Sequence, residues 1–525
     1  MPPRVLIADK LSPAAIDIFA ARGVEADVKT GLAKDDLLKI IDQYDGLALR
    51  SATKADKDVI AAASRMKVIG RAGIGVDNVD IPAATAAGIV VMNTPFGNSI
   101  TTAEHAIALM FALARQLPQA DLSTQAGKWE KNRFMGVELS AKTLGLIGCG
   151  NIGSIVADRA NGLKMKVVAY DPFLSEERAV ELGVEKVELD ELLARADIIT
   201  LHTPLTDKTR NILNADALAR AKKGVLIINC ARGGLVDEAA LRAGLDSGHI
   251  GGAAFDVFVE EPANTNVLFG APNFIATPHL GASTLEAQEN VALQVAEQMS
   301  DYLLTGAVSN ALNSPSVTAD EAPKLRPYIA LAGKLGAFAG QMVDVGIKAI
   351  DIAYEGDVAG INVKPLTAAA LAGVLRPMLS GVNMVSAPAV AKDRGISISE
   401  SRQDDSPVYD SLMRITVTTE LGKRSFAGAV IAGAPRVVEV KGMELDAPFG
   451  PAMLYVSNLD KPGFIGALGA LLGDAGVNIA TFNLGRRAAG EDAIALVGVD
   501  TSPNEALLEQ VKALPHVKEA RALSF

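Results

Sequence analysis

KTLGLIGCGNIGSIVADRA, residues 142–160, sets a glycine-rich turn between an apolar run and a helical one. Its apolar start reads as a strand, GCGNIG at 148–153 as a tight turn, and the remainder as a helix. Each glycine has a separate use there. Gly148 permits the bend, Gly150 lets a pyrophosphate approach the backbone, and Gly153 lets the helix lie close to the sheet. Phosphates then sit on the N–H groups of the helix start. The next apolar run ends VVAYDP and brings Asp171 close to the roughly 20-residue offset expected of a ribose-binding carboxylate. Such a carboxylate bonds both ribose hydroxyls and repels a 2′-phosphate, which selects NAD over NADP. A glycine-rich turn in some other α/β protein is the rival reading. Strand, helix and acid together favour the dinucleotide. Cys149, inside the turn, reads as a small filler residue rather than a redox group.

Around this turn, strand-like runs at 143–147, 165–170, 197–202, 225–229, 252–256 and 274–277 make six, the number for a complete doubly wound parallel sheet. Residues 284–305 read as a long amphipathic helix leaving it. Upstream, runs at 4–8, 26–29, 46–50, 67–70 and 89–93 alternate with helical stretches such as 12–21 and 35–41, a second parallel βαβ series. Residues 101–116 predict a long apolar helix with Thr101 as N-cap. Downstream, 309–323 reads as a linker, and 324–450 as irregular α+β without a legible motif. The tail has strands near 453–457, 478–484, 493–499 and 517–522, with helices at 463–475 and at 503–514, the latter capped by Ser502. That order, βαββαβ, is ferredoxin-like.

Length and composition agree with this layout. A chain of 525 residues carries a prior of about three or four domains. With 49% hydrophobic and 21% charged residues it is globular in composition. Two cysteines exclude a disulfide framework and point to a reducing cytosol. Neither a signal peptide nor a membrane span is expected, since no apolar run approaches ~20 residues. The net charge of −11 is spread out, with no basic run, which argues against nucleic acid as a partner. No metal-ligand set is read. A few local arginines can still dominate an anion pocket.

Oxidising a 2-hydroxy acid requires a base, a group that orients the base, and a cation for the carboxylate. Of five histidines, His279 in TPHLGAST lies just past the sixth expected strand, where open sheets form ligand crevices. Its ordinary pKa suits proton transfer. Glu261, in AFDVFVEEP, is the candidate partner, and Arg232, in NCARGGLVDE, the candidate carboxylate anchor. Each has a plainer reading, a core histidine or an exposed loop charge. Three such residues at consecutive strand ends favour a site. His105 and His202 read as structural, and His249 and His516 as loop residues.

LGLIGCGNIG, HTPLT, NCARGGLVDE, AFDVFVEEP and TPHLGAST resemble the D-2-hydroxyacid dehydrogenase family. LRSATK, GRAGIGVDNVD, VMNTPFGNS and GKWEKNRFMG resemble its long-form branch, whose substrate is 3-phosphoglycerate, and the tail resembles an ACT domain. The resemblance implies a flavodoxin-like substrate domain over 1–98, completed by 290–314, and a doubly wound Rossmann NAD domain over 99–289. Two α+β regulatory domains follow: an allosteric substrate-binding-like one over 315–452 and an ACT unit over 453–525. It implies that Arg232, Glu261 and His279 are the catalytic trio. It adds NAD contacts at Asn151, Ile152, Thr203, Cys230, Ala231, Asp256 and Gly281. Arg50, Arg71 and Asn98 match substrate positions. Lys131 or Arg133 either reaches a neighbouring subunit's phosphate or belongs to a solvated loop. Ile74 stands where a Thr is often found. L-serine is the implied effector, with Asp460 on its ammonium, Asn478 bonding across a paired unit, and Asn458 replacing the usual His or Tyr. A homotetramer is also implied. Shorter family reductases, an NAD-sensing corepressor and a pure amino-acid sensor are the alternatives.

Overall fold

Four sheets organise the described residues, which in this computed structural model are 2–318, 320–406 and 408–525. The first comprises β1 (Arg4–Ile7), β2 (Glu25–Val28), β3 (Gly46–Leu49), β4 (Val68–Arg71) and β5 (Val90–Asn93), all parallel, in the order β2-β1-β3-β4-β5. β3 and β5 are buried throughout, as expected of parallel strands covered on both faces. One cover is the helix Leu285–Thr305, capped by Thr284. Its Val291, Val295 and Met299 join the core of Val5, Ile7 and Val68.

The second sheet holds β6 (Thr143–Ile147), β7 (Lys166–Tyr170), β8 (Glu185–Lys186), β9 (Ile198–Leu201), β10 (Val225–Asn229), β11 (Ile250–Phe255) and β12 (Phe274–Ala276). The order β12-β11-β10-β9-β6-β7-β8 is doubly wound, and reverses between β6 and β9. The expected six strands become seven. β8 is two residues long and charged, so no apolar run announces it. The helix after β5, Ser99–Ala114, starts before Thr101, which points instead to Thr284 at 3.3 Å between hydroxyl oxygens.

The stretch read as a linker is docked, apart from Ala319, which lies outside the described residues. Asn313 accepts from the Val91 N–H (2.9 Å) and donates to the Ile89 carbonyl (2.8 Å) and Thr85 Oγ1 (3.0 Å), sealing the edge of β5. Ser, Asn and Pro mark irregular backbone. They do not say whether that backbone is free or bonded.

Nor is 324–450 irregular. β13 (Ile347–Gly356), β14 (Ser397–Gln403), β15 (Ser411–Thr419), β16 (Gly422–Ile431), β17 (Ala434–Val440) and β18 (Met443–Pro448) form a sheet in the order β14-β13-β15-β16-β17-β18. Helices Ala322–Gln341 and Lys364–Leu375 pack beside it. Every residue from Pro365 to Leu375 is buried, so the helix has no polar face and no legible period.

The last sheet, β19 (Ala452–Leu459), β20 (Ile479–Arg486), β21 (Asp492–Val499) and β22 (Val517–Ser524), is antiparallel in the order β20-β21-β19-β22. Its helices are Phe464–Asp474 and Glu505–Lys512, and the βαββαβ reading holds. The second is capped by Asn504, not Ser502, through Oδ1 to the Leu507 N–H at 2.9 Å. Met453, Tyr455, Leu496 and Leu523 share one core with Phe338 and Phe426 of the preceding unit. Among the described residues no helix is long and apolar enough to cross a membrane.

Candidate active site

His279 is held by the residue that ends the neighbouring strand. Asp256, just past β11, has no exposed surface. Its Oδ1 accepts from Thr277 Oγ1 (2.6 Å) and the Leu280 N–H (2.7 Å), and its Oδ2 from the Gly281 N–H (2.8 Å). His105 Nε2 lies 3.2 Å from Oδ1. Burial alone would raise the Asp256 carboxyl, but these bonds, led by His105 and Thr277, hold it below the usual range. They pin a turn in which His279 adopts φ 56°, unusual for a residue with a Cβ. The ring then meets Glu261, Nδ1 to Oε2 at 2.7 Å, while Glu261 Oε1 accepts from the Phe258 N–H at 3.0 Å. The bond from Glu261 raises the imidazole pKa against the pull of desolvation. Burial raises Glu261, yet its bonds to His279 and Phe258 leave it lowered. With Nδ1 turned to a carboxylate, the proton resides there and Nε2 is the free basic atom.

Arg232 follows β10. Its Nε donates to Asp77 Oδ2 at 2.9 Å and its Nη1 to the Ala231 carbonyl at 2.6 Å. Asp77 sits on the loop after β4, so the pair joins the second sheet's unit to the first. Arg71 ends β4. Burial first, then the charges of Arg232 and Arg50, pull it down to about 10, and its buried Nε has no partner among the described residues. A Cβ on Gly73 would collide with the Arg71 guanidinium, and one on Gly75 with that of Arg232. Arg50, after β3, is tied by its N–H to Asp9 Oδ2 at 2.6 Å. Asn98 Oδ1 is also buried and unpartnered among the described residues. The structure thus gathers Arg50, Arg71 and Arg232. Lys131 and Arg133 are not joined to them: both are exposed, and Arg133 pairs with Glu130 at 2.9 Å.

The turn at 148–153 fits a dinucleotide. Gly148 has φ 92°, and a Cβ there would lie 2.6 Å from the His202 carbonyl oxygen. A Cβ on Gly153 would collide with the Gly148 carbonyl, whereas one on Gly150 would meet nothing within 4 Å. Space is therefore left open beside Gly150 and the first-turn N–H groups of Asn151 and Ile152. Asp171 already accepts from the Cys149 N–H and the Phe173 N–H, both at 2.8 Å. Each carboxylate oxygen keeps a lone pair for a ribose hydroxyl. Two expected NAD contacts fall on buried side chains. The Asp256 carboxylate is enclosed and committed to the His279 turn, and Cys230 is buried, its thiol pushed up by burial. Thr203 and Ala231 remain partly exposed, and Gly281 closes the His279 turn. Cys149 is pushed up to about 11 by burial, in keeping with a filler. His202, pulled down to about 4 by burial and bonded to Thr200 (2.9 Å), is structural. The Ile74 carbonyl accepts from Asn93 Nδ2 at 2.7 Å.

In the tail, Asn458 and Asp460 line a hollow of about 340 Å³ with Gly463 and Arg486. Asp460 Oδ2 accepts from the Gly490 N–H (3.2 Å) and Arg486 Nη1 (3.0 Å), which hold its carboxyl low. Asn478 is outside this hollow, exposed and bonded to Asp500 at 2.8 Å. Sequence reasoning missed Asp77, Thr277 and the grip of His105 on Asp256. Asp77 lies in GVDNVD, so its motif was visible although its partner was not.

The NAD binding domain of D-isomer specific 2-hydroxyacid dehydrogenases matches residues 107–281, the D-3-phosphoglycerate dehydrogenase intervening domain 324–441, and the ACT domain 452–516. The chain is 44% identical to the D-3-phosphoglycerate dehydrogenase of Synechocystis over 520 residues, 98% of this chain and 94% of that one. It is 42% identical to that of Methanocaldococcus jannaschii, over 99% and 100% of the two. A crystal structure of a glyoxylate reductase from Paecilomyes thermophila covers 59% of this chain and 98% of its own, with 30% identity and a TM-score of 0.56. A doubly wound NAD fold, a matched intervening unit and an ACT tail, with full-length relatives above 40% identity, mean that this chain belongs to the D-3-phosphoglycerate dehydrogenase family.

Proposed function

We propose that the chain oxidises 3-phospho-D-glycerate to 3-phosphohydroxypyruvate, the first step of L-serine biosynthesis, with Arg232, Glu261 and His279 at the reacting centre. The observation that carries this is the 2.7 Å His279–Glu261 bond on a pinned turn, with the charge of Arg232 acting on the same imidazole. NAD, held on the 148–153 turn, supplies the hydride acceptor. His279 Nε2 takes the hydroxyl proton, and Glu261 stabilises the imidazolium that results. The terminal N–H groups of Arg232 grip the substrate carboxylate, Arg50 and Arg71 supply the field for a dianionic phosphate, and Asn98 is a further substrate contact. Asp171 selects NAD through the ribose.

The substrate side is assigned to 1–98 with 290–314, the cofactor side to 99–289, and regulation to 315–452 and 453–525. Serine is the proposed effector of the tail: Asp460 meets its ammonium, and the helix start at Gly463 its carboxylate. A cytoplasmic homotetramer is the proposed setting, in which Lys131 and Arg133 reach a neighbour's substrate and Asn478 a neighbour's tail.

The test is turnover of 3-phosphoglycerate with NAD. His279→Ala lowers kcat by ~10²–10⁴, the usual value of acid–base catalysis, with NADH affinity little changed. Near wild-type kcat in that variant refutes His279 as the base.

A further inference from the structure

Asp77 contributes nothing to the reaction as so far described, yet it holds the one residue that must meet the substrate carboxylate squarely. Its Oδ2 accepts the Arg232 Nε–H at 2.9 Å from a loop of the first sheet's unit, while Arg232 belongs to the second. A bond at Nε leaves the two terminal nitrogens facing away from Asp77, which is the edge that grips a carboxylate bidentately. One Nη1 hydrogen is taken by the Ala231 carbonyl, and Gly75 lies against Nη2 so closely that a Cβ there would collide. The guanidinium is thus fixed in its own plane by three contacts, two of them from the Gly73–Asp77 loop. That loop is steadied in turn by Asn93 Nδ2, 2.7 Å from the Ile74 carbonyl. We infer that Asp77 is a positioning residue, which orients the Arg232 carboxylate anchor from the opposite unit and so completes the anchor only when the two units are together.

Stability is not what the pair provides. The Asp77 side chain is 71% exposed and that of Arg232 29%, and ion pairs so wetted contribute little to folding. A second possible role has the opposite sign. Asp77 is a negative charge beside Arg50, Arg71 and Arg232, so if it merely screened them, removing it would strengthen the hold on an anionic substrate. Orientation and screening therefore predict KM changes in opposite directions.

The inference rests on the reading of Arg232 as carboxylate anchor, and the experiment separates the two. Full-length wild type, Asp77→Asn, Asp77→Glu and Arg232→Ala are assayed with NADH against phosphohydroxypyruvate and hydroxypyruvate, which share the carboxylate and differ in the phosphate. Asp77→Asn raises KM about tenfold for both substrates, the scale of one charge-assisted hydrogen bond. Its kcat changes less, NADH affinity and Tm stay put, and Asp77→Glu recovers most of the loss. A lower KM for phosphohydroxypyruvate in Asp77→Asn overturns the inference in favour of screening. A loss that Asp77→Glu does not recover and that comes with a fallen Tm overturns it in favour of a scaffold role. Unchanged kinetics in Asp77→Asn beside a crippled Arg232→Ala overturns the inference alone. Unchanged kinetics in both variants overturns the reading of Arg232 as well.

Discussion

His279 stands in a conformation that side chains with a Cβ seldom adopt, and it stays there because a buried carboxylate below it accepts from three neighbouring groups of the same turn. Its raised pKa comes chiefly from Glu261. Because that bond is the largest cause of the raised imidazole pKa, Glu261→Gln lowers it. Oxidation needs neutral imidazole, so the rate rises with pH through this pKa. In Glu261→Gln the rising limb of the kcat/KM profile moves to lower pH while kcat falls. A pH–rate series checks this, and an unmoved limb assigns the orienting role elsewhere. His279, Glu261 and Arg232 stood out as candidates because each follows an apolar run that ends at a sheet's carboxyl edge, and the structure bonds His279 to Glu261. The tasks of Asp77 and Asp256 were not legible in the sequence. Whether a loop carboxylate faces a ribose, a guanidinium or a backbone turn depends on contacts between segments, such as Asp77 with Arg232, that no local pattern encodes.

The glycine turn shows how one element divides its work. Gly153 and Gly148 are required by the chain itself, since a Cβ at either would press on a backbone carbonyl. Gly150 is not, because its Cβ would enter open space. Gly153→Ala is therefore expected to cost about 1–3 kcal/mol of stability, the range for overpacking, visible as a lowered Tm. Gly150→Ala keeps its Tm and raises the NADH Kd about tenfold, near 1.4 kcal/mol. Thermal melts and fluorescence titration of both variants decide it, and a Gly150→Ala variant that binds NADH normally removes the pyrophosphate from that space. Elements with strong local signals were read correctly, as with the helix over 284–305, observed as Leu285–Thr305. Caps were less legible where several polar residues compete, as with Asn504 over Ser502. β8 and the helix Lys364–Leu375 escaped for opposite reasons, one too short and charged, the other apolar on every side.

At the scale of the molecule, the tail is not a detachable module. Besides the shared core, Arg521 binds Asp344 (2.8 Å), Lys441 binds Glu519 (3.0 Å), and Gln341 Nε2 donates to the Ser524 carbonyl (3.0 Å). The intervening unit is in turn fastened to the first sheet's unit, where Asn383 Nδ2 donates to the Gly88 carbonyl at 2.9 Å. Deleting 453–525 would strip the apolar cover from Phe338 and Phe426, so aggregation or a lowered Tm is expected rather than an unregulated enzyme. Asp460→Ala is the cleaner probe of regulation: turnover and Tm persist, and inhibition by serine in a titration is lost. A truncated chain with normal Tm contradicts the shared core, and serine inhibition that survives Asp460→Ala contradicts the assigned effector site. The proposed action of Arg232, Glu261 and His279, beside Arg50 and Arg71, is on a phosphorylated 2-hydroxy acid. It is tested most directly by NADH oxidation with phosphohydroxypyruvate, hydroxypyruvate, pyruvate and 2-oxoglutarate on the full-length chain. The highest kcat/KM is expected for phosphohydroxypyruvate. An unphosphorylated acid turned over equally well or better would contradict it.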